Sequence, residues 1–490
     1  MQLSNTIEKL PEIINIIGDM DIEISSMTYD SRKSTPGSLF VAIRGLKSDG
    51  HKFIEKAVSQ GATALVYDRE DISVPENVSS VLVQDSRKAL SFLAANYFNH
   101  PEQKLALIGI TGTNGKTTSN YFLQHLLSSA GLPTARVGTT GAAFKGVEVD
   151  LIHTTPESSD LYELLNAFVE EGANTATLEV SSHALDQRRV DGLDFRIGIF
   201  SNLSQDHLDY HNSLEEYLKA KQLLFKNLSS NSIAIINADD ASAESIIEGC
   251  EAKIIRYGYN SAADYQILSH TVNDDGLEVN INTPNGSLLV QTNTVGDFNV
   301  YNLVSALSAA LELGCDAKKL LTASRNLPAV PGRLEKMVNR APFQVFVDYA
   351  HTPDAMETVL NTLSEAYPDN KLISVFGCGG DRDQTKRPIM GDIATRISTS
   401  AIITDDNPRT ESSMDIINAI AVGCAGRSNY KIIQDRSSAV LAALDQASKG
   451  DIVAILGKGH EPYQEIMGER KPYSDMNVVD QYMEQHGYSA

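Results

Sequence analysis

The chain has 490 residues, of which 42% are hydrophobic, and its 41 basic and 63 acidic residues give a formal net charge of −22. The hydrophobic content is sufficient for packed cores and argues against intrinsic disorder, and the length predicts about two to four domains. Such an acidic chain is a poor general binder of nucleic acid, because phosphate backbones require a basic surface.

Cysteine spacing and the length of apolar segments exclude further classes. The four cysteines are far apart and form no CxxC pair, which excludes a zinc ribbon and a disulfide scaffold and predicts free thiols. The N-terminus mixes acidic residues into its apolar positions, unlike a signal peptide. No segment reaches the ~18 consecutive apolar residues of a membrane span. We therefore predict a cytoplasmic protein without membrane insertion, and we expect a monomer.

Short apolar runs rich in β-branched residues alternate with helical patterns along most of the chain. Continuous apolar strands separated by helices are typical of parallel sheets that are covered on both faces. The pattern therefore predicts an α/β fold. The predicted strands are 105–110, 175–180, 197–201, 233–237, 345–348, 372–376, 401–404 and 452–456.

Composition breaks divide the chain into three predicted domains. A polar stretch around Pro101 ends the first, and a proline-rich segment at 327–343 separates the second from the third. Residues 258–295 alternate polar with apolar side chains, which predicts antiparallel strands at the far side of the middle domain. The predicted domain bounds are 1–102, 103–333 and 334–490.

The first chemical motif is the segment 108–119, "IGITGTNGKTTS", between a predicted strand and a predicted helix that ends at Gly131. A strict Walker A motif would have glycine where Ile110 stands. The strand–loop–helix context still predicts a phosphate site, because glycines allow backbone N–H groups to turn toward an anion and the helix N-terminus attracts negative charge. Lys116 can reach the β- and γ-phosphates, and the Thr117 hydroxyl can bind Mg²⁺.

Four residues in the later part of the chain are weaker candidates when they are judged from residue type alone. Glu179 ends a predicted buried strand, where a carboxylate facing the phosphate loop is a natural Mg²⁺ ligand. His207 and His211 have the i, i+4 spacing that binds zinc on a helix, but the glutamate of the HExxH motif is absent. Lys221 lies in a predicted amphipathic helix and, by residue type alone, is interpreted as a solvated lysine.

Several motifs in this order resemble the ATP-dependent Mur ligases of peptidoglycan synthesis, over about residues 28–475: "GTNGKTT", "EVSSH", "SNLSQDHLDYH", "GDFNVYN", "PGRLE" and "DYAHTPD". The resemblance implies a UDP-sugar-binding N-terminal domain, a central ATP-binding domain with a P-loop parallel sheet, and a Rossmann-like C-terminal domain that binds an amino acid. It also implies a reaction in which the ATP γ-phosphate activates a substrate carboxylate as an acyl phosphate, which an incoming amine then attacks. Positioning and charge neutralisation dominate such chemistry.

The resemblance implies ATP, Mg²⁺, and CO₂ carried as a carbamate on Lys221. Carbamylation converts this lysine from a cation into an anion that ligates Mg²⁺. The implied catalytic residues are Lys116, Glu179, His207 and Lys221, and the implied metal ligands are Thr117, Glu179, His207 and Lys221. The implied ATP-binding residues are Gly112, Thr113, Asn114, Gly115, Lys116, Thr117, Thr118, Asn299, Asn302, Arg333, Asp348 and His351.

Within the family, the segments 29–45 and 153–157 resemble members that extend UDP-N-acetylmuramoyl-L-alanyl-D-glutamate. The residues implied to contact this nucleotide sugar are Ser31, Thr154, Thr155, Ser181, Gln187 and Arg189.

The segment 405–409, "DDNPR", indicates which amino acid is added. By residue type alone it is a turn, but it resembles the signature of family members that add meso-2,6-diaminopimelate. A guanidinium at Arg409 can bind the distal carboxylate of diaminopimelate and would repel the ammonium of lysine. The residues implied to contact diaminopimelate are Arg382, Asp406, Asn407, Pro408, Arg409, Gly457 and Glu461.

Three alternatives remain at this point. The same ligase could add L-lysine, and folylpolyglutamate synthase has a similar phosphate loop but would not need the N-terminal region with "YDSR" and "PGSLF". A P-loop NTPase that acts as a switch would hydrolyse nucleotide without requiring either a muramoyl peptide or an amino acid.

Overall fold

The computed structural model describes residues 1–45, 48–273, 276–294 and 296–489, and its strands form three large sheets in chain order. Residues 274, 275 and 295 of the predicted antiparallel region, and residue 490 of the predicted third domain, lie outside the described residues.

The first sheet has five strands in the order β1-β5-β4-β3-β2, with β1 antiparallel to β5 and the others parallel. Helix α3 begins where Asp85 accepts hydrogen bonds from the backbone N–H groups of Arg87 and Lys88, a typical N-cap. The elements are α1 (Leu3–Thr6), β1 (Ile13–Ile17), β2 (Ser26–Thr28), β3 (Ser38–Val41), α2 (Ile54–Ser59), β4 (Ala62–Tyr67), β5 (Ser79–Val83) and α3 (Ser86–Tyr97), with 3-10 turns at Ser31–Lys33, Gly50–Phe53 and Pro101–Lys104.

The central sheet has eleven strands in the order β16-β15-β14-β13-β12-β11-β6-β10-β7-β8-β9. The seven strands from β14 to β7 in this order are parallel, and two antiparallel strands extend the sheet at each end. Its strands are β6 (Ala106–Thr111), β7 (Thr134–Gly138), β8 (Gly141–Phe144), β9 (Val147–Val149), β10 (Thr175–Glu179), β11 (Phe195–Phe200), β12 (Ile233–Asn237), β13 (Lys253–Gly258), β14 (Tyr265–Asn273), β15 (Gly276–Thr283) and β16 (Gly286–Thr292). Its helices are α4 (Lys116–Ala130), α5 (Ser158–Glu170), α6 (Ser182–Asp186), α7 (Leu208–His211), α8 (Leu214–Lys226), α9 (Ala243–Ile246), α10 (Phe298–Glu312) and α11 (Ala317–Ala323), followed by a 3-10 turn at Ser324–Asn326.

The third sheet has six strands in the order β17-β18-β22-β19-β20-β21, all parallel except β17, and a separate hairpin of β23 and β24. Its strands are β17 (Glu335–Lys336), β18 (Gln344–Asp348), β19 (Leu372–Phe376), β20 (Ser400–Ile403), β21 (Tyr430–Ile432), β22 (Ile452–Leu456), β23 (Tyr463–Ile466) and β24 (Glu469–Pro472). Its helices are α12 (Pro353–Ala366), α13 (Lys386–Ile397), α14 (Ser413–Val422), α15 (Arg436–Gln446) and α16 (Asp475–Gln485).

Helices cover both faces of the central parallel strands, as the continuous apolar strands predict. On one face α4 packs against α10 through Leu123, Leu126 and Leu307, all buried. A buried leucine of this kind contributes about 2 kcal/mol of hydrophobic stabilisation. The other face is covered by α5 and α8. These layers hold the carboxyl ends of the strands at one rigid edge.

The predicted α/β class is confirmed, and the eight predicted strands are present with ends that differ by at most two residues. The predicted antiparallel strands beyond 258 are β14, β15 and β16. Helix α4 ends before Gly131, which adopts the left-handed conformation at φ 101°. The proposed domain boundaries, at 102/103 and 333/334, fall between the sheets.

The chain crosses from the second sheet to the third through Gly332, whose φ is 64°. A Cβ atom at this position would lie 2.7 Å from the Cα of Gly459, in the loop after β22. The carbonyl of Gly332 accepts a hydrogen bond from the N–H of Tyr349 at 2.8 Å. The crossover therefore lies directly against two other loops and has no room for a side chain.

Among the described residues, no helix combines the length and the apolar character that crossing a bilayer requires.

Candidate active site

A cavity of about 770 Å³ lies between the carboxyl edge of the central sheet and the third sheet. Parallel α/β sheets bind ligands at this edge. Its walls include most of the predicted phosphate loop, residues 112–118, together with Glu179 and residues of the segment 201–207. Arg333 and the segment 348–351 complete this part of the lining. Most of the residues predicted to bind ATP and metal thus surround one space.

The phosphate loop takes its shape from two left-handed glycines, Gly112 at φ 151° and Gly115 at φ 85°. The side chain and carbonyl of Asn202 accept hydrogen bonds from the backbone N–H groups of Asn114 and Thr113, at 2.8 and 2.9 Å. Ile110, which replaces the first glycine of the strict motif, is fully buried within β6. The loop begins after this residue, so its conformation does not require glycine there.

Lys116 and Lys221 meet at the base of this loop. Each ammonium donates to the carbonyl of Gly112 at 2.8 Å, and that of Lys116 also donates to the carbonyl of Thr113. Burial, and then the proximity of Lys116, holds the pKa of Lys221 well below its usual value. The interpretation of Lys221 as a solvated lysine is wrong, because its side chain is 1% exposed and packs over the ring of Tyr217.

Glu179 is fully buried at the end of β10 and forms the centre of a hydrogen-bond network. Its carboxylate accepts from the Thr117 hydroxyl at 3.0 Å and from the N–H and hydroxyl of Thr139 at 3.0 and 2.9 Å. The guanidinium of Arg333 donates to the same Thr117 hydroxyl at 3.1 Å and lies over the ring of Tyr349. The residues predicted as metal ligands at 117 and 179 are therefore in direct contact.

His207 also lines the cavity, next to Asp206. Burial, and then the nearby His183, lowers the pKa of His207 to about 3, against the opposing effect of Asp206. His207 has a left-handed backbone, at φ 55°, and precedes α7. It does not share a helix with His211, so the zinc-helix alternative is not supported. In the part of the chain that the structure describes, no cluster of three or more His, Cys, Asp or Glu side chains could hold a metal ion.

Three other predicted nucleotide residues have structural partners. Asn302 lines the cavity under Gly115 and donates from its amide to Asn299, which is itself buried. The carboxylate of Asp348 accepts from the backbone N–H of Leu334 and, at 2.6 Å, from that of Ala350, while burial raises its pKa. Asp348 thus fixes the crossover segment at the cavity wall.

The residues predicted to contact the nucleotide sugar form a second group beside the cavity. The Thr155 hydroxyl donates to the carbonyl of Glu179 at 2.8 Å and lies 3.3 Å from the Ser181 hydroxyl. Arg189 donates to the Thr155 carbonyl at 2.9 Å and to Gln187 Oε1 at 2.8 Å. Thr154 contributes a further contact, 3.2 Å from the Thr139 hydroxyl.

Ser31, the remaining residue predicted to contact the nucleotide sugar, lies in the first domain. It is buried in the 3-10 turn that follows Tyr29. The Tyr29 hydroxyl donates to Asp160 Oδ2 at 2.7 Å and so joins the first sheet to α5. This contact holds the segment just before Ser31 against the central domain.

The residues predicted to bind the amino acid converge at the carboxyl edge of the third sheet. Asn407 donates from its amide to Glu461 Oε2 at 2.9 Å, across 54 residues of sequence. Arg409 donates to the carbonyl of Gly380 at 2.7 Å and lies 3.6 Å from Glu465. Burial would raise the pKa of Asp406, but Lys458 and other nearby cations lower it.

Arg382, Pro408 and Gly457 complete that edge. A Cβ atom built on Gly379 would lie 2.7 Å from Arg409 Nη1 and 3.7 Å from Arg382 Cγ, so the two arginines flank one short backbone segment. Gly457 has φ 111°, and a Cβ there would lie 2.6 Å from Asp406 Oδ2. Pro408 is buried between these loops.

The two binding regions are joined directly. The Asn114 amide at the tip of the phosphate loop donates to Asp354 Oδ2 at 2.9 Å, at the start of α12. Gln205 donates to Asp383 Oδ2 at 2.9 Å. His351 lies 3.7 Å from Asp206. These contacts hold the third domain against this cavity.

Sequence reasoning missed several residues of this site. Lys458 is fully buried between Asn407 and Glu461, although it belongs to the segment "GKGHE" from which only the glycine and the glutamate were selected. Tyr259 and Tyr301 line one end of the cavity. No local sequence pattern indicates these two tyrosines, because they come from separate elements. Tyr259 lies in the loop between β13 and β14, and Tyr301 lies in α10.

Models of three Mur ligase domains match the chain in order: the Mur ligase family catalytic domain at 23–98, the Mur ligase middle domain at 110–310, and the Mur ligase glutamate ligase domain at 332–459. Curated proteins named UDP-N-acetylmuramoyl-L-alanyl-D-glutamate–2,6-diaminopimelate ligase are similar over nearly the whole length. That of Cytophaga hutchinsonii is 38% identical, covering 99% of this chain and 100% of its own. That of Clostridioides difficile is 41% identical, covering 98% and 99%.

Solved structures give the same architecture. A structure of UDP-N-acetylmuramoyl-L-alanyl-D-glutamate–2,6-diaminopimelate ligase is 34% identical, with a TM-score of 0.69 and full coverage of both chains. MurF from Acinetobacter baumannii is 17% identical, with a TM-score of 0.70 and coverage of 99% and 98%. Folylpolyglutamate synthase from Mycobacterium tuberculosis, at 16% identity and a TM-score of 0.64, covers 76% of this chain and 92% of its own. By the order of its domains and its identity to these relatives, the chain belongs to the Mur ligase family.

Proposed function

We propose that the chain is an ATP-dependent ligase that joins meso-2,6-diaminopimelate to the D-glutamate of UDP-N-acetylmuramoyl-L-alanyl-D-glutamate. The observation that carries this proposal is the position of Arg409. Its guanidinium stands beside Arg382 at the edge of the third sheet, in a domain that closes over the phosphate loop. Full-length relatives with the corresponding name support it.

The phosphate loop fits a nucleoside triphosphate. Gly112 and Gly115 turn the backbone where a Cβ atom would collide with neighbouring side chains. Helix α4 begins at Lys116 and adds its N-terminal partial charge. In our proposal, Lys116 exchanges its hydrogen bonds to the loop carbonyls for hydrogen bonds to phosphate oxygens. Its ammonium therefore keeps hydrogen-bond acceptors in both states.

The metal set also fits the chemistry of its donors. The oxygens of Thr117 and Glu179 are 3.0 Å apart at the cavity wall, and oxygen donors suit Mg²⁺. Mg²⁺, when bound there, neutralises phosphate charge. We propose that His207 and carbamylated Lys221 complete the set. Lys221 meets the requirement for carbamylation, since burial lowers its pKa and favours the neutral amine that reacts with CO₂.

The reaction has two steps that the chain's own residues can position. A carboxylate oxygen of the D-glutamate attacks the γ-phosphorus and ADP leaves, giving an acyl phosphate. The amine of diaminopimelate, having lost its proton, then attacks the acyl carbon and phosphate leaves. In the proposal, Arg189 and Thr155 hold the peptide beside Glu179, while Asp406, Asn407 and Arg409 hold the distal end of the amino acid. The reaction then takes place in the space between the two groups.

The decisive experiment measures phosphate release by the purified full-length chain with ATP, UDP-N-acetylmuramoyl-L-alanyl-D-glutamate and a panel of diamino acids. We expect release only when all three substrates are present, with a product whose mass corresponds to one added diaminopimelate less one water. Equal turnover with L-lysine would contradict the amino-acid assignment. Phosphate release with ATP alone would instead favour an NTPase.

A further inference from the structure

Lys458 is fully buried in the loop between β22 and β23, and its ammonium contacts two side chains of the proposed amino-acid site. It donates to Asn407 Oδ1 at 3.0 Å and to Glu461 Oε2 at 2.8 Å. The Asn407 amide donates to that same glutamate oxygen at 2.9 Å. The three side chains form a closed triangle in which each pair is hydrogen bonded.

The orientation of the Asn407 amide is fixed by its partners. Its Oδ1 accepts from the Lys458 ammonium and also, at 2.9 Å, from the backbone N–H of Glu465 on β23. Its Nδ2 then faces Glu461. Both ends of the Asn407 amide therefore have hydrogen-bond partners that fix its orientation. Lys458 supplies one of these hydrogen bonds, so it is a buried part of the wall of the proposed site.

Lys458 neutralises one of the carboxylates around the segment 406–409. Its ammonium donates to Glu461 Oε2 at 2.8 Å, whereas Arg409 lies 3.6 Å from Glu465 and Arg382 lies 3.8 Å from Asp209. A further buried cation near Asp406, Arg436, forms its own ion pair with Asp475 at 2.8 Å. Without Lys458, Glu461 would lose the cation to which it is hydrogen bonded.

The two competing amino acids differ in charge at the end that would reach this group. The distal end of diaminopimelate carries one ammonium and one carboxylate and is neutral overall, whereas that of lysine is a single cation. A Glu461 carboxylate that is neutralised by Lys458 suits the neutral end, and the same carboxylate without its cation would attract the ammonium of lysine. Building on the proposed function, we propose that Lys458 is a specificity-determining residue that neutralises Glu461 and thereby disfavours lysine.

The test compares kcat/KM for meso-diaminopimelate and for L-lysine in the full-length enzyme and in Lys458→Gln, which retains a hydrogen-bond donor but removes the charge. We expect the ratio of the two values to fall by about tenfold, through a higher KM for diaminopimelate and a lower KM for lysine. The KM for ATP should not change. Lys471→Gln, on exposed β24, is the matched control and should leave the ratio unchanged.

Two further variants separate charge from structure. Lys458→Arg keeps the charge and should retain most of the discrimination. Glu461→Gln removes a negative charge, whereas Lys458→Gln removes a positive one, so lysine turnover should fall more than diaminopimelate turnover. If Lys458→Gln does not fold, Glu461→Gln provides the test of the inference. Equal losses for both amino acids in Lys458→Gln would overturn the inference. A wild-type enzyme that ligates neither amino acid would instead overturn the proposed function.

Discussion

The phosphate loop at 112–118 and the segment 406–409 bind their proposed ligands in different ways. The first is built from backbone: glycines set its turns, and Lys116 and the neighbouring Lys221 both donate to the carbonyl of Gly112. The second is built from charged side chains that come from distant parts of the chain. A phosphate can be held by many N–H groups, but a small zwitterion requires individual charges at fixed places. The two regions should therefore respond differently to substitution.

The largest effect is expected at Lys221, a buried side chain beside the phosphate loop that we propose to carry a negative charge in the active enzyme. Lys221→Ala should lower kcat by about 10³-fold, because a group that positions charge in the reaction is removed. Acetate or formate should restore part of the activity by standing in for the carbamate. Steady-state phosphate release measures both effects.

The matched control for that variant is Lys219→Ala, on the same helix. Lys219 is exposed and pairs with the exposed Glu215, one turn away. Its replacement should leave kcat within about twofold, since exposed pairs contribute little. If Lys221→Ala were fully active without additives, the proposed metal set would be wrong.

Arg409→Ala tests the side-chain-built region. The KM for diaminopimelate should rise by roughly 100-fold, the cost of about 3 kcal/mol for a lost charge-assisted hydrogen bond. The KM for ATP should stay nearly constant, because the guanidinium bonds within the third domain. Arg396→Ala, an exposed arginine on α13, is the control. An unchanged KM for diaminopimelate would rule out our assignment of Arg409.

Gly115→Ala tests the backbone-built region. The left-handed turn at φ 85° and the side chain of Asn302 leave no room for a Cβ atom. We expect the KM for ATP to rise by about tenfold, as strain and a steric clash displace the loop. Gly131→Ala introduces the same left-handed strain, at φ 101°, but into open space. Gly131→Ala should lower the free energy of unfolding by about 1 kcal/mol and leave the KM for ATP unchanged. Equal KM values for ATP in the two variants would show that the geometry of the phosphate loop does not determine ATP binding.

The smallest effect is expected at Glu465, which lies 3.6 Å from Arg409. Glu465→Gln should raise the KM for diaminopimelate by about threefold, because a partly exposed ion pair contributes less than about 1 kcal/mol. Arg409 keeps its hydrogen bond to Gly380 in this variant. Glu469→Gln, at the exposed start of β24, provides the baseline. A loss as large as that of Arg409→Ala would mean that the hairpin, rather than the guanidinium, dominates recognition.

The same contrast explains how much the sequence could predict. The strands and the phosphate loop were predictable because their signals are local in the sequence. The apolar run of β6, the glycines of residues 112–118 and the start of α4 can each be recognised from a few neighbouring residues. The motif order was sufficient to identify the family. The roles assigned to individual site residues remain predictions, although the structure brings most of them together.

Other features depend on contacts between distant segments and leave no local signal. Lys221 is buried because its ammonium meets the carbonyl of Gly112, which is 109 residues away. His207 lies outside α7 because its backbone is left-handed next to Asp206. Lys458 faces Asn407 only because β20 and β22 end at the same edge of one sheet. Residue type alone would make both lysines surface residues.

The crossover at Gly332 has a practical consequence for engineering. Its backbone lies against Gly459 and Tyr349, so the linker and two loops of the third sheet are shaped to one another. A chimaera that grafts the last domain of a relative onto this chain should therefore carry over the glycine and both loops as one cassette. A junction placed between them would join surfaces that had not been selected together.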